Sequence, residues 1–188
     1  MTKSNSHELA KARVSQASLP PIAQNSPSVI EARLAPWCPA PVRVFVQRAD
    51  LNIDLAELLR AARRYFDATI DAQSQSPAGD RAAVELHSEQ HGYRGLLSIR
   101  SRRTTEHDLN DAQRAETLGR ASGMAALAQR CPTIWDVESI GEDSELARLN
   151  LCAILASVAL GPVLPDDGAT LYGVRGAMER VERLLRSG

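Results

Sequence analysis

The sequence predicts an α+β domain in which a small, mostly antiparallel sheet is covered by helices, with an extended N-terminal arm in front of it. Residues 42 to 48 and 82 to 101 alternate apolar and polar side chains with a period of two, as half-buried strands do. Other segments repeat apolar residues every three to four positions, which is typical of amphipathic helices. With 188 residues, the chain is long enough for one core and an arm but short for two domains. The predicted order of elements is β-α-β-β-α-(β)-α-α.

The first 41 residues form a Pro-rich segment, with six prolines among serine, glutamine and asparagine residues. This composition prevents a long helix and contributes little to a sheet. The chain is therefore predicted to divide into an arm, residues 1 to 41, and a single α+β domain, residues 42 to 188. The apolar residues of the arm lie too close to prolines to form their own core, so we interpret them as an interaction surface. They are Val29, Ile30, Leu34 and Trp37.

The domain is predicted to begin with a strand from Val42 to Arg48 and a helix that follows it. Asn52 or Asp54 can cap this helix, which is predicted to run to about Gln73 because apolar residues recur along one stripe. The stripe contains Leu55, Leu58, Ala62, Phe66 and Ile70.

Residues 82 to 101 are predicted to form a β-hairpin with His91 and Gly92 as a two-residue turn. This register places the apolar residues of both strands on one face and the polar residues on the other. The predicted inward pairs are Leu86 with Leu97 and Val84 with Ile99.

The next predicted helix begins at Thr104 or Thr105 and runs to about Arg130, where Cys131 and Pro132 end it. Two glycines one turn apart within this helix would allow another element to approach closely. They are Gly119 and Gly123.

Residues 133 to 138 are predicted as a short strand, and two helices follow it. Ser144 caps the first, an apolar helix that ends before Gly161 and is about half as long as a membrane crossing requires. The last helix is predicted from about Thr170 to Arg186. Its apolar stripe contains Leu171, Val174, Met178, Val181 and Leu185.

The charge balance bears on the class of partner. The formal charge is −1, from 22 basic and 23 acidic side chains. Proteins that coat nucleic acid or an anionic membrane carry a large positive excess, so the sequence favours neither partner. Only Lys3 and Lys11 are lysines, and the preference for arginine and alanine is typical of a bacterial genome rich in G and C.

Cysteine usage predicts a reducing, cytoplasmic environment. Cys38, Cys131 and Cys152 are an odd number at wide spacing, with no Cys-x-x-Cys pair and no secretory leader upstream. Cys38 and Cys131 each precede a proline, a context in which a thiolate can bind haem iron. Pro39 belongs to the Pro-rich arm and Pro132 ends a helix, so we predict no cofactor and leave haem binding or redox sensing as an open alternative.

His87, Glu89 and His91 form the pattern H-x-E-x-H, which would place three potential metal ligands on one face of a continuous strand. The predicted turn removes His91 from that face, and no further run of ligands completes a site. We therefore predict no metal site, and these three residues are the candidates if one exists. The chain also lacks the G-x-S-x-G, P-loop and G-x-G-x-x-G motifs of serine hydrolases, P-loop enzymes and Rossmann domains.

Six arginines fall into two groups that could form one basic patch for phosphate or an acidic partner. One group follows the hairpin, and the other marks the polar side of the first helix. Few aromatic residues accompany them, which disfavours nucleic acid as the ligand. The two groups are Arg100, Arg102 and Arg103, and Arg60, Arg63 and Arg64.

These observations favour a non-enzymatic accessory or assembly protein that acts through protein–protein contacts of the core and the arm, with a partner protein or a second copy. One alternative is a small cytoplasmic enzyme whose acid and base come from residues such as His87, Glu89 and Arg94. The other is a regulator that binds nucleic acid through the arginine patch.

Overall fold

The computed structural model describes residues 40 to 141 and 144 to 187, and it confirms the α+β class. The predicted interaction residues Val29, Ile30, Leu34 and Trp37 lie outside the described residues. The elements in chain order are β1 (Val42–Val46), α1 (Leu55–Tyr65), β2 (Thr69–Gln75), β3 (Arg81–Ser88), β4 (Tyr93–Arg103), α2 (Glu106–Gly119), α3 (Met124–Gln129), β5 (Thr133–Ser139), α4 (Glu145–Ala159), β6 (Val163–Leu164) and α5 (Val174–Ser187).

The strands form one antiparallel sheet in the order β2-β3-β4-β5-β1-β6. The short strand predicted after Cys131 and Pro132 is confirmed as β5, and it lies between β4 and β1 rather than at an edge. β2 forms one edge, and the two-residue β6 forms the other.

One face of the sheet, here called the helical face, is covered by α1, α4 and α5. Its side chains include Val44, Val84 and Leu97, each at most 1% exposed. α4 lies over the middle of this face, and nine of its fifteen residues are buried. Within the described ranges, no helix combines the length and apolar character needed to cross a membrane.

Among the described residues, the opposite face is covered at one end only, where α2 and α3 pack on β1, β5 and β6 around Phe45, Ile134 and Leu164. The remainder, from β2 through β3 and β4 to the second half of β5, presents polar side chains and the exposed Leu96 and Ile140. We call this part the open sheet face. It carries Asp71, Glu85, Arg94, Leu96, Ser98, Arg100 and Glu138.

The prediction that the first helix continues to Gln73 is wrong. α1 is capped by Asp54 as expected but ends at Tyr65, and Thr69–Gln75 forms β2, which pairs with β3. Asp67 adopts a left-handed conformation with φ of 46°, which ends the helix, and its carbonyl accepts a hydrogen bond from Ser88 on the neighbouring strand.

The predicted hairpin exists, but its register is shifted by two residues. Ser88 pairs with Tyr93, and Val84 pairs with Leu97 rather than with Ile99. The connection therefore has four residues, and the Oγ of Ser88 accepts a hydrogen bond from the backbone of His91 inside it. A shift of two residues returns every side chain to its predicted face, so Val84 is buried as expected.

The helix predicted from Thr105 to Arg130 is two helices. Arg120, with φ of 51°, and Gly123, with φ of 87°, break it between α2 and α3. The expected close approach occurs at Gly119, where a Cβ atom would lie 2.0 Å from the Oγ1 of Thr170.

The last third of the chain follows the prediction with two changes. Ser144 caps α4 through a hydrogen bond from the backbone of Ala147 at 3.3 Å. A short strand, β6, was not predicted. α5 begins at Val174, later than expected, because Tyr172 forms a β-bridge with Val163 instead of joining the helix.

Candidate functional site

An apolar groove of about 700 Å³ lies on the outer side of the helices, between α1, the end of α4 and the first half of α5. We call it the α1–α4–α5 groove. It is lined by Ala61, Tyr65, Phe66, Ser157, Val158, Leu160, Val174 and Met178, with Glu57, Arg60 and Arg64 among its charged residues.

Three large apolar side chains of the groove face solvent. Tyr65 is 60% exposed, Leu160 is 63% exposed and Met178 is 37% exposed. They are half of the six large apolar residues that are exposed in the described part of the chain. Met178 was predicted on the buried stripe of the last helix with Val181, which is 7% exposed. Contiguous exposed apolar surface of this kind is typical of an interaction site.

Leu160 occupies an unusual backbone position for a leucine. It is the C-cap of α4 and has φ of 55° and ψ of 31°, in the left-handed region. This conformation costs most residues about 1–2 kcal/mol, and glycine or asparagine is usually found there. Neither local backbone preference nor full burial explains a leucine at this position.

The charged residues of the groove differ in whether they form an ion pair with a described residue. Glu57 accepts a hydrogen bond from Arg48 at 2.8 Å. Arg64 lies over the ring of Tyr65 at 5.2 Å. Arg60 makes no ion pair with any described residue, and neither does Arg64. The groove therefore presents two positive charges beside apolar surface.

An ion network between α2 and the sheet contains one of the predicted patch residues, Arg102. Its guanidinium donates to both oxygens of Asp108, at 2.7 and 2.8 Å, and to both oxygens of Asp136, at 2.7 and 3.1 Å. Arg43 donates to Asp108 at 3.0 Å and to Asp111 at 2.8 Å. Through these ion pairs, the first turn of α2 is linked to β1, β4 and β5.

Asp108 is the buried centre of this network, at 2% exposure. Thr105 donates to it from both its hydroxyl, at 2.6 Å, and its backbone, at 2.9 Å. Burial raises the pKa of the Asp108 carboxyl, but hydrogen bonds from Arg102, Thr105 and Arg43 outweigh burial and hold it well below its usual value. The same pairing raises the pKa of Arg102. Both charges are matched within the fold, which gives the network a structural role.

The six predicted patch arginines do not share one surface. Arg60, Arg63 and Arg64 lie on α1, which covers the helical face. Arg100 projects from the open sheet face, where it is exposed, and it has no ion pair among the described residues.

The remaining patch residue, Arg103, donates from Nη1 to the backbone oxygen of Ala49 at 2.5 Å. It lies at the end of β4, beyond the open sheet face. Like Arg102, Arg103 therefore donates its hydrogen bonds to other residues of the domain.

The three residues of the H-x-E-x-H pattern do not share one strand face, because the turn between β3 and β4 begins after Ser88. His87 lies on β3 with its Nδ1 3.6 Å from a carboxylate oxygen of Asp71, whereas Glu89 and His91 lie in the four-residue turn. The ring of His91 stacks on that of Tyr93, with centroids 6.5 Å apart. No group of three potential ligand side chains is found among the described residues.

The two described cysteines are buried. Burial raises the pKa of Cys131 to about 11 and that of Cys152 to about 12. Both side chains are therefore neutral thiols near pH 7, a form unsuited to nucleophilic attack or metal binding. Cys38 lies outside the described residues.

The open sheet face holds a second depression, of about 560 Å³, bounded by β2, β3, β4 and β5. Arg81, which was not among the predicted site residues, lines it together with Arg100. The pKa of the nearby Asp80 is lowered, chiefly by a hydrogen bond from Ser76 and also by the positive charges of Arg81 and Arg100.

The candidate surfaces are thus an apolar groove, whose Arg60 and Arg64 form no ion pair within the described ranges, and a polar depression on the opposite face of the sheet. Neither contains a recognisable catalytic set. The chain shows no significant similarity to any protein family model, to any curated protein or to any solved structure, so its function has to be inferred from these two surfaces.

Proposed function

We propose that this protein is a non-enzymatic binding protein that docks an acidic, apolar segment of a partner protein in the α1–α4–α5 groove. The observation that carries the proposal is the cluster of exposed Tyr65, Leu160 and Met178 beside Arg60 and Arg64, which form no ion pair with any described residue. Tyrosine, phenylalanine, methionine and arginine are the residue types enriched where proteins meet.

The exposed apolar area is sufficient for binding of moderate strength. A segment that covers Tyr65, Leu160 and Met178 would remove on the order of 250 Å² of apolar surface from water, which stabilises the complex by about 6 kcal/mol before association costs. That gain alone supports weak binding, and contacts beyond the groove must supply the rest.

Charge determines which segment fits. Arg60 and Arg64 have no carboxylate partner among the described residues, so acidic side chains on the bound segment would match them. Charges at the rim of an interface mainly raise the association rate and make it sensitive to salt. We therefore expect the partner segment to combine apolar residues with flanking aspartate or glutamate.

The arm contributes a second contact with the partner in this proposal. Its sequence supplies Val29, Ile30, Leu34 and Trp37, which cannot form a core of their own. Replacing Ile30, Leu34 and Trp37 with serine in the full chain is expected to weaken partner binding and to leave the free energy of unfolding within about 0.5 kcal/mol. A loss of stability comparable to that of a core substitution would contradict a role in partner binding.

Photo-crosslinking tests the groove directly. A photoreactive phenylalanine analogue at position 65 or 178 of the full chain, expressed in its native cell, is expected to capture a peptide of another protein that contains both acidic and apolar residues. The matched control is position 118, where the leucine is 65% exposed but lies outside the groove. Arg60→Glu with Arg64→Glu should abolish the product from positions 65 and 178.

Products shared with position 118, products unaffected by the two charge reversals, or links only to a second copy of the chain would overturn the proposal. Any of these results would show that the apolar groove does not select an acidic partner segment.

A further inference from the structure

The depression on the open sheet face has a side-chain arrangement that the groove proposal does not use. β3 and β4 form its floor, and β2 and β5 form its sides. Its polar lining includes Ser74, Arg81, Ser98, Arg100 and Glu138.

Two of these residues are arginines placed directly opposite each other. Arg81 on β3 pairs with Arg100 on β4, and both side chains are exposed on the same face. Like charges at directly opposed positions of an antiparallel pair destabilise a sheet. The arrangement is therefore unfavourable unless a negative group lies between the two guanidinium groups.

Among the described residues, no carboxylate lies within ion-pair distance of Arg81 or Arg100, although the charge of Asp80 interacts with both over a longer distance. Asp136 is the neighbour of Arg100 on β5, but both of its oxygens accept hydrogen bonds from Arg102. Asp80 accepts a hydrogen bond from Ser76 at 2.7 Å and lies beyond ion-pair distance of either arginine.

A bulge in β2 adds a hydroxyl to the depression. The register shifts between Ala72 and Ser74, so that Ser74 pairs with Ala83 and faces the open side of the sheet. Ser98 on β4 is the other neighbour of Ala83 and lies on the same face. Bulges of this kind often redirect a side chain toward a functional site.

We propose that this depression binds the phosphate group of a small phosphorylated ligand between Arg81 and Arg100, with Ser74 and Ser98 as additional donors. Two guanidinium groups can each donate in parallel to phosphate oxygens, and a doubly charged phosphate neutralises both. Glu138 is the neighbour of Ser98 on β5 and offers an acceptor for a hydroxyl group of the ligand. A sugar phosphate has both features.

The test is calorimetric titration of the full chain with phenyl phosphate and with glucose 6-phosphate at low ionic strength. Both are expected to bind saturably, with glucose 6-phosphate the tighter. Arg81→Gln and Arg100→Gln should each weaken binding at least tenfold. Glu138→Gln should tighten phenyl phosphate binding and remove the preference for the sugar phosphate.

Arg94→Gln is the matched control. Arg94 lies on the same strand and the same face of the sheet as Arg100, but it forms an ion pair with Glu85. This substitution should change the affinity less than twofold. Thermal unfolding adds an independent readout: without ligand, Arg100→Gln should melt at or above the wild-type temperature because it removes a repulsion, and phosphate should stabilise only the wild type.

The proposal fails if neither ligand saturates, if Arg94→Gln weakens binding as much as Arg81→Gln, or if Arg100→Gln melts clearly below the wild type without ligand. The groove proposal does not depend on any of these results.

Discussion

The ion network under α2 and the α1–α4–α5 groove use arginines in opposite ways. In the network, Arg102 is held by carboxylates on two sides, and the central Asp108 is buried. In the groove, Arg60 and Arg64 lie beside the exposed Tyr65 without a carboxylate partner among the described residues. Changing a network residue removes charge-assisted hydrogen bonds from inside the fold, whereas changing a groove residue does not. Stability and binding should therefore respond to different substitutions.

Asp108→Asn is expected to cause the largest loss of stability. It would leave Arg102 and Arg43, which are 29% and 16% exposed, without their central carboxylate. Arg102 keeps Asp136 and Arg43 keeps Asp111, so the loss is that of hydrogen bonds to a charged group, about 1.5–3 kcal/mol. Urea unfolding measures it. Glu179→Gln, which breaks an exposed pair with Arg175, should cost less than about 1 kcal/mol, and equal losses would contradict the structural role of the network.

Acid should produce the next largest effect. Because the folded-state pKa of Asp108 is lowered, its ionised form stabilises the protein fully above its unfolded pKa of about 3.9 and loses that contribution as the pH falls. The difference in unfolding free energy between wild type and Asp108→Asn should be constant from pH 7 to about pH 5 and shrink below about pH 4. A difference that grows in acid would show that the sign of the pKa shift is wrong.

Leu160→Gly should have the smallest effect on stability and the opposite sign. Glycine adopts the left-handed conformation of this C-cap without strain, and the leucine side chain that it removes is mostly exposed, so the free energy of unfolding is expected to rise by about 0–1 kcal/mol. Binding of the partner should weaken in the same variant. Clear destabilisation would mean that Leu160 belongs to the core rather than to a binding surface.

The sequence predicts the elements whose apolar pattern is unambiguous, and it fails where two patterns coincide. Ile70 continues the helical stripe that ends at Phe66, so the spacing alone cannot separate β2 from α1. The register of the hairpin cannot be predicted from the apolar pattern for a related reason. A shift of two residues leaves the same side chains facing inward.

The candidate surfaces depend on contacts between distant positions, which periodicity does not report. Arg43 and Asp108 are 65 residues apart, and Arg102 and Asp136 are 34 apart. Arg102 was therefore predicted in the same group as Arg100, which forms no ion pair with a described residue. The groove was missed because its exposed apolar residues come from three separate helices or helix ends, and each one alone resembles an ordinary core residue.

Two aspartate substitutions at leucines of nearly equal exposure test the docking site most directly. Leu160→Asp lies in the groove and Leu118→Asp lies on α2, at 63% and 65% exposure in the wild type. In a chain carrying the photoreactive residue at position 65, Leu160→Asp is predicted to lower the yield of the partner crosslink at least tenfold, and Leu118→Asp is predicted to leave it unchanged. Equal yields in the two variants would contradict the assignment of the α1–α4–α5 groove as the docking site.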